Sequence, residues 1–511
     1  MWFFLLVLWS LVVVSVTAMA TGSNSKSDTR ELFSVAPMMG HTHRHYRYFF
    51  RQLSQQAHLY TEMIPASQIV QAYEQVLRNR HLQSSDSNYH PDRLLEFVQN
   101  DRPSAGSTRL DILDELLRCD NNNILEGPVH LQLGGRDPEI LAKAAAIGAA
   151  YGYDSINLNC GCPSNSVSGR ATGAALMREP EVVARCVERM SHSVDAVSSR
   201  VAISVKHRLG VRSMASYNAQ DDRNQGDEQA FATCLEFCRI VSLGGSVSKF
   251  HVHARLGLLE DAAESTTLWV PSDDDSQAAN QQQLQETTST PEKINHKRAQ
   301  YAAKRRSRKV TIDNRNVPPL RPNVVNLLAD EFPHLEFVTN GGIQSVTQLQ
   351  DRVSHRQDGG GQMIGAMVGR AVINHPCSFS SVDSTIWGNN NSEPKTREQV
   401  LKAYIEYCET EERRFQNIGD APGGLESARR KLAGVPFHLF VGEDGSDAYQ
   451  RRLRKLASRA QRHSSHAMLT AALAEVPESS RTKLVTNFTP HDSLEKYEFV
   501  KRSGPLQRSV Y

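Results

Sequence analysis

The chain has 511 residues, more than one ordinary core accommodates, which predicts one large domain with a smaller one. Its 58 basic and 56 acidic residues nearly cancel, so the net charge of +2 does not by itself indicate a polyanionic partner, and only the placement of the charges can. The 8 cysteines form no CxxC pair and no His/Cys cluster at metal-ligand spacing, which predicts neither a metal site nor a disulfide framework.

The first 20 residues form a hydrophobic leader that ends in the small-x-small pattern Ala18-Met19-Ala20. This ending is typical of a signal peptide, whereas the length of the apolar run also approaches the roughly 20 residues of a membrane anchor. Because the remainder of the chain lacks a disulfide pattern, import into a plastid or another organelle fits better than secretion. A misassigned start codon and a cytoplasmic protein are the alternative.

Eight short apolar or β-branched runs alternate with helical patterns, which indicates repeated strand-helix units around a parallel sheet. Eight such units close a sheet on itself, so the predicted fold class is α/β, a (β/α)8 TIM barrel over residues 32–385. The predicted strands are 33–39, 59–64, 129–135, 155–162, 202–209, 249–255, 337–342 and 362–370.

Two stretches interrupt the repeat, at about 74–127 and about 260–310, and are predicted to be insertions. The second is polar and ends in a segment with seven Lys or Arg residues between 297 and 309 and no acid. Such a segment suits either an RNA backbone or a solvated loop.

After residue 390 only amphipathic helical patterns occur, which predicts a smaller C-terminal all-α domain at 390–475, followed by a tail at 476–511. One of these helices is crowded with basic side chains, and contact with RNA and a solvated face are equally good interpretations. These side chains are Arg451, Arg452, Arg454, Lys455, Arg459 and Arg462.

Polar residues lie near the ends of the predicted strands, where the loops of a barrel share one mouth. The glycine-rich ends Asn340–Gly342 and Gly369–Arg370 follow the last two strands, the place where barrels commonly hold a phosphate. Gln132 and Lys206 could meet the pyrimidine edge of a flavin, and His253 its phosphate or ring. Each of these residues alone is more often structural, so the set carries the prediction.

The ordered motifs of residues 32–380 resemble tRNA-dihydrouridine synthases, and more narrowly their A-type subfamily, with INLNCGCPS as the most specific segment. The other matching segments are SVAPMMGHTHRHYR, LYTEMI, LQLGG, VKHRLG, FHVHAR, NRNVPPLR, TNGGI and VGRA.

This resemblance implies an FMN-containing barrel that takes hydride from NADPH and reduces the C5–C6 double bond of a D-loop uridine in tRNA, of the U20/U20a class. It also implies that Cys162 is the proton donor. A cysteine suits that role because its reference pKa of about 8.5 keeps it mostly protonated at neutral pH. The implied FMN-binding residues are Pro37, Met38, Met39, Gln132, Lys206, His253, Asn340, Gly341, Gly342, Gly369 and Arg370.

For the tRNA, Asn159 is expected to read the flipped uracil or the flavin, and His207 and Arg208 to extend the basic wall beside Lys206. The resemblance also implies that Asn314 and Arg315 contact tRNA. Cys160 stands where the family has an aliphatic residue, and strand alternation predicts that it shares a face with Cys162; no role is assigned to it.

Two other functions are compatible with these motifs. One is an FMN-dependent barrel reductase of a small pyrimidine, and the other is a tRNA-binding protein that has lost catalysis. The basic segments favour a polyanionic substrate over a free base, and the presence of Cys162, Lys206 and Gln132 disfavours an inactive protein. The oligomeric state is not indicated by any pattern in the sequence.

Overall fold

The computed structural model describes residues 30–79, 89–101, 112–117, 127–164, 171–260, 318–354, 363–389, 393–416 and 424–488. The predicted leader, the basic segment 297–309 and the end of the predicted tail lie outside these ranges. No helix within them combines the length and the apolar character needed to cross a membrane.

The predicted TIM barrel is confirmed, because eight of the ten strands in the described ranges close into one parallel barrel in the order β1-β10-β9-β7-β5-β4-β3-β2. Each of the eight predicted runs overlaps one barrel strand. In chain order, β1 to β10 are Phe33–Val35, His58–Pro65, Val129–Gly134, Ser155–Cys160, Ala202–Arg208, Val211–Ser213, Lys249–His253, Gly257–Leu259, Glu336–Asn340 and Met363–Val368.

The two short strands β6 and β8 form a separate parallel pair, in which Val211 lies opposite Gly257. They follow directly after β5 and β7, so this small sheet stands at the C-terminal ends of two barrel strands. Three-residue strands have no periodicity to recognise, which explains why the sequence did not predict them.

The described helices lie between the barrel strands and after the last of them. Two of them begin at Pro138 and Pro180, as a proline at the first helical position predicts. In chain order, α1 to α16 are Arg44–Arg51, Ala66–Asn79, Pro91–Asp101, Ile112–Leu117, Pro138–Ala150, Pro180–Val197, Ala219–Ser242, Pro322–Glu331, Val346–Ser354, Arg370–Asn374, Val382–Trp387, Arg397–Gln416, Gly424–Gly434, Ser446–Ala457, Ser465–Leu473 and Glu478–Arg481. Short 3₁₀ helices occur at Gly173–Arg178, Pro376–Phe379 and Val435–His438.

Strand β4 shows how alternation builds both the core and the site. Ile156, Leu158 and Cys160 belong to the main hydrophobic core, whereas Asn157 and Asn159 bond to polar side chains of neighbouring strands. Cys160 is fully buried in this core, near enough to Cys186 of α6 to affect its pKa. The strand ends at Cys160, so alternation does not continue to Cys162, and the expectation that the two thiols share a face is wrong.

The C-terminal helices pack against the barrel through α1, and a second hydrophobic core joins Phe49 of α1 to Tyr404 of α12. Beside it, the guanidinium of Arg44 lies 2.7 Å from Glu411 and 2.8 Å from Glu115. Helix α16 lies in the predicted tail and is followed by Val485, which is buried in the same core. The folded helical unit therefore extends beyond the predicted boundary at 475.

Candidate functional site

A chain of side-chain amides connects the barrel strands to the loop that carries Cys162. The backbone N–H groups of Gly161 and Cys162 donate to Asn159 Oδ1, at 3.1 and 3.0 Å. Asn159 Nδ2 donates to Gln132 Oε1 at 2.8 Å, and Gln132 Nε2 donates to Asn157 Oδ1 at 2.7 Å. Rigid strands thus hold the cysteine loop in one position.

Arg208 supports the same loop from the neighbouring strand β5. Its Nε donates to the carbonyl of Gly161 at 2.8 Å, and its Nη1 donates to the carbonyl of Leu256 at 3.0 Å. Arg208 is buried, and its bond to Gly161 holds the Cys162 loop in this structure. Its contact with tRNA stays a prediction.

Lys206 stands beside Cys162, close enough for a charge on that sulfur to act on its pKa. Its ammonium donates to Asn340 Oδ1 at 3.2 Å, and Asn340 Nδ2 donates in turn to the carbonyl of Met367 at 2.8 Å. Burial, followed by the charge of Arg208, lowers the pKa of Lys206 from 10.5 to about 7. A bound anion would therefore stabilise the charged form of Lys206.

His253 lies close enough to Lys206, Arg255 and Arg370 for their charges to act on its pKa, and these four side chains together form an anion pocket. Burial, with the charges of Arg208, Lys206, Arg255 and Arg370, holds the pKa of His253 well below its ordinary range. Burial also lowers the pKa of Arg370, and burial together with Arg370 lowers that of Arg255. Mutual repulsion among these groups makes the pocket suited to an anion such as a phosphate.

The two glycines that follow β9 leave no room for side chains beside this pocket. Gly341 and Gly342 have φ angles of +123° and +78°, which side-chain-bearing residues rarely adopt. A Cβ on Gly341 would lie 2.7 Å from Leu320 and 3.2 Å from His253. The backbone can therefore approach a ligand at this point, and together with the cationic side chains it forms a donor set that fits a phosphate-bearing cofactor.

The loop after β1 faces the same end of the barrel. A Cβ on Gly369 would lie 3.7 Å from the sulfur of Met38, so the ends of β1 and β10 meet. Met38 N donates to Thr42 Oγ1 at 2.9 Å, and Gly40 N donates to Glu62 in the second half of β2. Pro37 and Met38 are half-buried and Met39 is exposed, so this loop can present its backbone to a ligand.

Two buried groups in the described part of the chain have donor atoms close enough to hold a metal ion, although the sequence predicts no metal site. They are His207 with Cys234 and Cys238, and Glu31 with His58 and His130. Hydrogen bonds engage both groups. His207 Nδ1 lies 2.8 Å from the Arg208 carbonyl and its Nε2 3.8 Å from Cys238 Sγ. His207 therefore faces α7 rather than the mouth, and its expected place in the basic wall is wrong.

Apart from His207, the structure brings together the predicted site residues that lie in its described ranges, namely those on β3, β4, β5, β7, β9 and the loops after β1, β4 and β10. Asn314 and Arg315 lie outside the described residues. Sequence reasoning missed Asn157, because a strand-interior asparagine resembles any polar residue of an alternating strand. It also missed Arg255, whose two-residue spacing from His253 places it at the same strand end.

A closed parallel barrel with a half-buried cysteine and an anion pocket at the C-terminal ends of its strands defines the class of TIM-barrel enzymes. The family model of Dihydrouridine synthase (Dus) matches residues 34–101 and 112–288 of the chain. A tRNA-dihydrouridine(20/20a) synthase of Synechocystis sp. is 31% identical over 376 residues, covering 74% of this chain and 78% of the relative. The chain therefore belongs to the dihydrouridine synthase family, oxidoreductases that reduce uridine in tRNA.

Other relatives match over still more of their length. The tRNA-dihydrouridine(20/20a) synthase of Pseudomonas aeruginosa is 30% identical over 436 residues, covering 85% of this chain and 92% of the relative. The enzyme with the same name from Vibrio vulnificus is 26% identical over 445 residues, covering 87% of this chain and 97% of the relative. A match of this length must extend beyond the barrel into the C-terminal helices.

Proposed function

We propose that the chain binds FMN, uses NADPH as reductant and reduces a D-loop uridine of the 20/20a class in tRNA. The observation that carries this proposal is the joining, at one barrel mouth, of the loop with Cys162 and the pocket of basic side chains around Lys206. The family is one of flavoproteins, and the names of the relatives give the uridine positions.

The anion pocket and the glycine-rich strand ends would hold the phosphate of FMN, with His253, Gly341 and Arg370 nearest to it. Lys206 and the free N–H of the Gln132 amide would face the polar edge of the flavin ring. Bound FMN would supply hydride transfer from NADPH to the uracil. Negative charge on the ring would raise the pKa of Lys206 and keep it protonated. The protonated ammonium would then stabilise that negative charge.

Cys162 would supply the proton that the reduced uracil needs at C5. It is half-exposed, and Asn159 and Arg208 hold its loop from two strands. None of the seven cysteines in the described ranges forms a disulfide, and the six other than Cys162 are buried. Cys162 is thus the thiol among them that a base entering the mouth can reach.

The direct test uses purified protein, NADPH and tRNA that lacks dihydrouridine. We expect a yellow protein that releases FMN on denaturation, oxidises NADPH slowly alone and forms dihydrouridine only with tRNA. Free uracil and uridine, offered at the same concentration, distinguish a small-pyrimidine reductase. Their reduction at a rate equal to that of tRNA would contradict the proposal.

FMN binding is expected to weaken as pH rises above about 7. Lys206 has a pKa of about 7 in the free protein, and a bound anion raises it, so binding takes up a proton between those two values. The pKa of His253 lies well below its ordinary range, so this residue does not titrate in the same window. Flavin fluorescence titrations between pH 7 and 9 measure the effect.

Lys206→Met serves as the matched variant for this titration. It removes the titrating group, so its FMN affinity should be lower at pH 7 and should change much less with pH. A pH dependence equal to that of the wild type would show that another group takes up the proton.

Salt is expected to separate the two ligands. Exposed basic side chains on and after α14, among them Arg451, Lys455 and Arg459, form a basic face suited to tRNA phosphates. Raising salt should therefore weaken tRNA binding steeply because phosphate contacts release counterions, while enclosed FMN stays bound. Filter binding of tRNA and flavin fluorescence in the same salt series would measure both, and equal sensitivity would contradict this division.

A further inference from the structure

The amide chain described above continues one step deeper into the barrel. Asn157 Nδ2 donates to Ser204 Oγ at 2.9 Å. Gln132, Asn157 and Ser204 are register partners on the adjacent strands β3, β4 and β5, so they form one layer across the sheet. Asn157 is fully buried, so it touches neither solvent nor any ligand at the mouth.

One end of this chain fixes the direction of every bond in it. The backbone N–H groups of Gly161 and Cys162 can only donate, so they require the oxygen of Asn159 to face them. The NH₂ group of Asn159 must then face Gln132 Oε1, which turns Gln132 Nε2 toward Asn157. Aligned bonds of this kind strengthen one another in a buried setting.

We propose that Asn157 is a positioning residue of this enzyme. Its amide, anchored on Ser204, supplies the acceptor that holds the Gln132 amide in the orientation that the loop N–H groups require, and thereby, through Asn159, stabilises the loop that carries Cys162. This inference rests on the proposed function for its catalytic consequence, whereas the geometry of the loop does not depend on it.

The orientation matters because Gln132 has only one amide N–H left for a ligand. Its oxygen accepts from Asn159 and its other N–H donates to Asn157. Without an acceptor at 157, the buried N–H loses its partner, and the amide gains by turning toward another acceptor. In the turned orientation, Gln132 would no longer accept the hydrogen bond from Asn159 Nδ2. Asn159 would then support the Cys162 loop less firmly.

The main test is Asn157→Leu, which keeps the side-chain size and removes both hydrogen-bonding groups. Hydrogen–deuterium exchange of the segment 155–164 is measured without FMN or tRNA, followed by flavin content, tRNA affinity and kcat for dihydrouridine formation. We expect faster exchange at Gly161 and Cys162 and a kcat lower by about tenfold or more, because small misplacements of reacting groups have effects of this order. The tRNA affinity should change little.

Ser204→Ala provides a milder second variant, since it removes the 2.9 Å bond of Asn157 Nδ2 and leaves the longer contact of that atom with His251 Nδ1, at 3.5 Å. Its matched control is Ser34→Ala on β1, a buried hydroxyl with no hydrogen-bond partner among the described residues. Ser204→Ala should increase exchange at Gly161 and Cys162, and Ser34→Ala should not. If Asn157→Leu and Ser204→Ala both match Ser34→Ala in exchange and kcat, the proposal is overturned.

A double-mutant cycle separates positioning through Gln132 from a general loss of stability. If Asn157 acts through Gln132, then Asn157→Leu should reduce kcat far less in a Gln132→Leu background than in the wild type. Equal reductions in both backgrounds would overturn this route of action. Faster loop exchange together with a wild-type protein that forms no dihydrouridine would support the positioning of the loop and contradict the proposed function.

Discussion

Replacing Cys162 with alanine should leave FMN bound and NADPH oxidation intact, while dihydrouridine formation falls by about a hundredfold to ten-thousandfold, the usual range for a lost general acid. The selectivity follows from the structure, because Gln132 donates to Asn157 and Lys206 donates to Asn340, two residues that the substitution leaves in place. The measurement is a single turnover of prereduced enzyme with tRNA lacking the modification, followed by nucleoside mass spectrometry.

The matched control is Cys160→Ala. This variant removes the thiol at the end of β4, two residues before Cys162. Cys160 is buried in the core between β4 and the helices, so this variant should lose some stability and retain base reduction. A Cys162→Ala protein that reduces tRNA at the wild-type rate would show that another group donates the proton.

The largest expected effect on stability comes from Gly365→Ala on β10. A Cβ at this position would overlap the carbonyl oxygen of Glu31 and lie 2.6 Å from that of Leu32, and both contacts are with backbone that cannot rotate away. Since β1 and β10 pair to close the barrel, the substitution should lower the free energy of unfolding by about 3 kcal/mol, the upper end for overpacking. Thermal unfolding of the FMN-free protein measures this loss.

Gly244→Ala is the control for this substitution, because a Cβ there would meet nothing within 4 Å. Its melting temperature should stay close to that of the wild type, whereas that of Gly365→Ala should be several degrees lower. Equal melting temperatures for the two variants would mean that the β1–β10 junction relaxes at little cost.

The barrel could be predicted because each strand carries its own signal. The run around Asn157 and Asn159 alternates apolar and polar residues, and such runs recur eight times between helical patterns. The direction in which each side chain points was harder to predict from the sequence, as Cys160 and His207 show. Both sit next to site residues in sequence, yet the alternation of the strand turns them toward the helices.

The site was predictable as a set of strand-end residues, because parallel strands bring their ends to one mouth. The bonds within it were not. The link from Gln132 to Asn157 joins residues 25 apart in the sequence, and only the register of β3 against β4 brings them together. The pKa of Arg255 likewise depends on the charge of Arg370, which lies near the C-terminal end of the barrel domain.

The most direct measurement is position-resolved mass spectrometry of tRNA nucleosides from cells with and without this gene. Dihydrouridine at position 20 or 20a should disappear when the gene is removed and return with the wild-type chain, but not with the Cys162→Ala chain. Unchanged dihydrouridine at every D-loop position in the absence of the gene would contradict the assignment of this barrel as the uridine reductase.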